Sequence, residues 1–84
     1  MIPPNRDAWP YISHHLPSAI REAKAMLDDV RGLERLIESR YREGEALYHR
    51  DWLTWPIRRF DQEAAEEAAD LVVYLAMRRV LGDG

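Results

Sequence analysis

The sequence predicts an all-α protein: a long helical hairpin with an extended N-terminal arm, completing a helix bundle by oligomerisation. Three observations predict it. Apolar residues recur every three or four positions through residues 20–41 and again through 60–77, the period of an amphipathic helix. No stretch alternates apolar and polar residues as a half-buried strand does. Four of the five prolines fall within residues 1–17, which separates an N-terminal arm, residues 1–17, from a single helical domain, residues 18–84.

Composition narrows the class. At 84 residues the chain is one small domain, a size at which oligomerisation is a natural way to complete a core. An apolar share of 46% with 32% charged residues is globular rather than disordered. A net charge of -3, with basic residues interspersed among acids, argues against a nucleic-acid partner. The absence of cysteine excludes disulfides, thiolate catalysis and cysteine-ligated zinc. No apolar run approaches the ~20 residues of a membrane span, and the N-terminus lacks the regions of a signal peptide, so a soluble cytoplasmic protein is expected.

In the arm, Trp9, Tyr11, Ile12 and Leu16 are positioned to pack against the body of this chain or of a partner subunit. His14 and His15 are adjacent, and neighbouring residues rarely converge on one metal ion. Ser18 is a candidate cap for a first helix running from residue 17 or 18 to about residue 43, and as far as residue 49. Its stripe is Ile20, Ala23, Leu27, Val30, Ile37 and Tyr41, widened by Met26, Leu33 and Leu36 and interrupted by Glu34. Gly32 weakens that helix without ending it, and Gly44 is the expected hinge.

The connector, residues 44–55, carries Leu47, Tyr48, Trp52, Leu53 and Trp55. It reads either as an aromatic plug beneath the helix ends or as a platform on which a base or other planar ligand stacks. Thr54 is a candidate cap for a second helix, from about residue 56 to residue 81, with Pro56 tolerated at its start. Phe60, Ala64, Ala68, Leu71, Val72, Leu75, Ala76 and Met77 form its apolar side. Glu63, Glu66, Glu67 and Asp70 crowd the first half of this helix, and like charges three or four residues apart repel. They are either acids near a helix N-terminus on a solvated face, or half of a site for a hard divalent cation.

The segment EEAADLVVYLA resembles the second metal motif, EE-x-x-D, of the MazG-like all-α nucleoside triphosphate pyrophosphatases. The upstream string YREGEALYHRDWLTWPIRRF is similar to short actinobacterial and phage members, so the resemblance covers about residues 40–79. It implies hydrolysis of a nucleoside triphosphate to monophosphate and pyrophosphate with Mg2+ or Mn2+. Glu67 and Asp70 would be metal ligands, and Glu63 or Glu66 an auxiliary ligand or base. Arg58, Arg59 and Arg42 would neutralise phosphates, and Trp52 and Trp55 would contact substrate. The family's first motif, E-x-x-E, has no strict match. Glu34 and Glu38, four apart on one helix face, are the nearest equivalents and could supply further metal ligands. Independently of the resemblance, two helices whose apolar surface exceeds what one hairpin can bury imply a dimer or tetramer. The alternative is a catalytically degenerate helical interaction module, phage-encoded and acting on a host protein.

Overall fold

In the computed structural model the backbone is described for residues 2–83 and the side chains for residues 2–82. The chain is all-α: α1 is Trp9–His14, α2 Leu16–Asp28, α3 Val30–Tyr48 and α4 Ile57–Asp83, with a 3-10 turn at Asp51–Thr54. No strand occurs among the described residues.

The expected extended arm is corrected over residues 9–14, which are helical. Pro10 and Pro17 stand in the first turns of α1 and α2, where a missing amide leaves no hydrogen bond unmade. Asp7 supports the start of α1, its Oδ1 accepting from the Trp9 amide at 3.1 Å. Ser18, expected as a cap, lies inside α2, and its hydroxyl accepts from Arg21 at 3.0 Å.

The expected continuous first helix is also corrected. It breaks at Asp29, whose backbone leaves helical geometry (ψ 79°) and whose carboxylate accepts from the Gly32 amide at 3.3 Å. Asp29 is thus the N-cap of α3, and Gly32 leaves space for it. A Cβ on Gly32 would come within 2.7 Å of the Asp29 carboxylate. Gly44 is not a hinge, because α3 runs through it to Tyr48. The chain turns instead at His49, which takes a positive φ of 56°. The Thr54 hydroxyl donates to the Asp51 carbonyl and closes the 3-10 turn.

The core is small and sits at one end. Ala19 and Ala23 of α2 pack on Leu75 and Ala76 of α4, bordered by Ile12, Leu16, Leu71 and Val72. Alanines on α2 let its backbone approach α4 closely. Beside them Glu22 accepts from Arg78 at 2.9 Å and pairs with Arg79, tying the same two helices together. The expected long hairpin is not formed: α3 meets the end of α2 but does not pack lengthwise on α4, and none of its residues is buried. The radius of gyration is accordingly 16.1 Å, against about 12 Å for a compact chain of this length. The outline measures 44 × 30 × 22 Å. No helix among the described residues is long and apolar enough to cross a membrane.

Candidate functional site

The aromatic residues of the connector converge. The 3-10 turn folds Trp52 and Trp55 back toward the end of α3, where Tyr41 and Tyr48 lie on one helix face. Together with Arg40 and Glu45 they line an open cleft of about 200 Å³. That is below the ~300–1,000 Å³ of sites enclosing a whole drug-sized ligand, and suits a single planar ring. Gly44 forms part of its wall, with open space where a side chain would stand. The Tyr41 hydroxyl donates to the Glu45 carboxylate at 2.9 Å. This hydrogen bond, reinforced by the Glu45 charge, holds the Tyr41 phenol above the ordinary tyrosine pKa.

Trp55 links the cleft to α4. Its ring packs against Phe60 with centroids 5.4 Å apart, and the Arg59 guanidinium lies 3.8 Å above it. Arg59 also reaches Glu63, Nε to carboxylate, at 3.9 Å. At ~100° per residue, Glu63, Glu67 and Asp70 follow Phe60 along one side of α4, with Glu66 beside them. An aromatic stack therefore stands at the head of a line of carboxylates. The rise of ~1.5 Å per residue puts Glu67 about 10 Å along the axis from Phe60.

All four acids are exposed. Glu63 has Arg59, and Glu66 accepts from Gln62 at 3.4 Å. Glu67 and Asp70 make no ion pair among the described residues. The helix dipole does not offset their repulsion either. It acts over the first turn, and the first turn of α4 holds no acid. The solvated face of the first sequence reading describes these side chains in the single chain, while its stabilisation by the helix N-terminus does not.

The remaining candidates lie apart from this line. Glu34 and Glu38 are exposed on α3, with Glu38 engaging Arg42 at 3.8 Å. Arg58 is exposed at the start of α4. No group of three or more histidine or acidic side chains among the described residues is arranged to hold a metal ion. Sequence reasoning singled out the two tryptophans. It placed Tyr48 beside them in the connector but missed Tyr41 and Arg40, which the expected hinge at Gly44 separated from that group. The i, i+7 spacing of Tyr41 and Tyr48 was the available signal.

No family model, curated protein or solved structure matches this chain.

Proposed function

We propose that the chain is a metal-dependent nucleoside triphosphate pyrophosphohydrolase of the MazG-like kind, acting as a homo-oligomer whose helix bundle is completed between chains. The observation that supports it is the run of exposed carboxylates on α4, with Glu67 and Asp70 in no ion pair among the described residues, headed by the Trp55–Phe60–Arg59 stack and adjoining a cleft of ring size. In this reading a nucleobase stacks in the aromatic cleft, and Arg58, Arg59 and Arg42 face the phosphates. Carboxylate oxygens are the donors Mg2+ or Mn2+ prefer, so the type of ligand fits. One chain does not bring enough of them together, and Glu67 and Asp70 require Glu34 and Glu38 to be carried to them by assembly. A bound divalent ion supplies charge neutralisation at the phosphates and a more acidic water. Glu63 or Glu66 would serve as an auxiliary ligand or as the base that holds the attacking water's proton. Water is consumed, and the products are the nucleoside monophosphate and pyrophosphate.

The uncovered apolar side of α3, none of whose residues is buried, supports a second reading, a helical interaction module without catalysis. Cation-linked stability separates the two. Carboxylates assembled for an ion gain ~2.7 kcal/mol of folding stability from Mg2+ or Mn2+ at a hundred times the dissociation constant, and the melting temperature rises with it. Asp70→Ala abolishes that gain. A melting temperature indifferent to either ion, in wild type and variant alike, supports the module.

A further inference from the structure

Two apolar faces lie uncovered in the single chain. On α3, Val30, Leu33 and Ile37 recur at helical spacing along one side that runs on toward the cleft at Tyr41; Leu33 is half-buried and Ile37 is 57% exposed. On α4, the side that buries Leu75 and partly buries Leu71 continues toward the N-terminus as Ala68, Ala64 and Ile57, all exposed. No side chain of the 19-residue α3 is buried, so the tertiary packing that supplies most helical stability in proteins is largely missing from it. The surface area states how much is missing: 7475 Å², against about 5,200 Å² for a compact monomer of 9.9 kDa. The excess, about 2,300 Å² per chain, doubles to a value inside the ~2,000–5,000 Å² range of obligate homodimers.

We propose that these two faces cover each other between copies of this chain: α3 of each protomer lies along the N-terminal half of its partner's α4. Large side chains on α3 meet small ones on α4, so ridges enter a groove without a clash. The arrangement is reciprocal, burying each face twice about a twofold axis, and it closes at two copies. It also brings α3 alongside the acid-bearing segment. The inference rests on the homo-oligomer in the proposed function but not on catalysis. A dimer without pyrophosphate release leaves it standing, and a catalytic monomer removes it.

Light scattering at micromolar concentration is expected to give twice the chain mass. Ile37→Asp is expected to weaken association roughly a hundredfold, as for a buried central anchor. Leu81→Asp, at a site 83% exposed near the end of α4, leaves it unchanged. Because Ile37→Asp also perturbs a weakly supported helix, a second measurement uses the absence of cysteine. Chains carrying Ile37→Cys are mixed with chains carrying Ala68→Cys and treated with a short bismaleimide, and a mixed conjugate is expected. A monomeric mass overturns the proposal. So does cross-linking confined to a single chain in the doubly substituted Ile37→Cys, Ala68→Cys protein.

Discussion

Leu75 is the one large side chain in a core otherwise made of Ala19, Ala23 and Ala76, and it is 5% exposed. Truncating it to alanine removes three carbons. At ~0.8 kcal/mol per buried methylene the transfer loss alone is ~2.4 kcal/mol. The buried neighbours are alanines with no rotamers, and the bordering Ile12, Leu16, Leu71 and Val72 can fill the space only in part, so a cavity remains and the total rises to ~3 kcal/mol. Domains of this length have a net stability of about 4–13 kcal/mol, and a core this small belongs at the lower end. Leu75→Ala should therefore remove a large fraction of the margin, lowering the melting temperature by about 12–24 °C at ~4–8 °C per kcal/mol. The assay is helical circular dichroism against temperature at fixed protein concentration, since association also stabilises. Leu81→Ala is the control. A shift below ~4 °C for Leu75→Ala would mean that α1, α2 and α4 are not held by this cluster, and the account of how the acid-bearing half of α4 is anchored would fall with it.

Other perturbations address single features. Asp29→Ala removes the α3 cap and should cost ~1 kcal/mol in denaturant unfolding, whereas no loss would show that the break needs no cap. Gly44→Ala, in mid-helix with open space for the new methyl, should stabilise by ~0.5–1 kcal/mol; destabilisation would place a hinge there after all. Ultraviolet titration should find the Tyr41 phenol ionising above ordinary tyrosine and returning toward it in Glu45→Gln. Because the folded value is raised, the stability this bond contributes is complete below the ordinary tyrosine pKa and is lost as pH rises through the raised one. An unchanged titration in the variant would refute the Tyr41–Glu45 bond.

Much of this fold is legible in the sequence because α4 is written in one uninterrupted period. Its expected span, residues 56–81, differs from Ile57–Asp83 by only one or two residues at either end. The break at Asp29 is masked in the sequence because the apolar stripe continues across it, from Leu27 to Val30. Only the pairing of Asp29 with Gly32, as cap and room for the cap, marks the end of α2. The α1 helix was hidden by treating proline as a breaker wherever it stands, although Asp7 two residues before Trp9 was a start signal. At the candidate site, Trp52 and Trp55 were visible as an aromatic excess in a connector. Their union with Tyr41 and Tyr48 depends on the reversal at His49, whose positive φ no local residue preference announces. That the acids of α4 stay exposed while α3 stands apart follows from tertiary placement, which periodicity alone does not encode.

The measurement closest to the central claim is pyrophosphate release from a panel of ribo- and deoxyribonucleoside triphosphates, with Mg2+, Mn2+ or a chelator. The account predicts ion-dependent turnover of at least one triphosphate, lost in Glu67→Ala and in Asp70→Ala while both variants keep their helical content. No release from any triphosphate with either ion, or release undiminished in both variants, would contradict it.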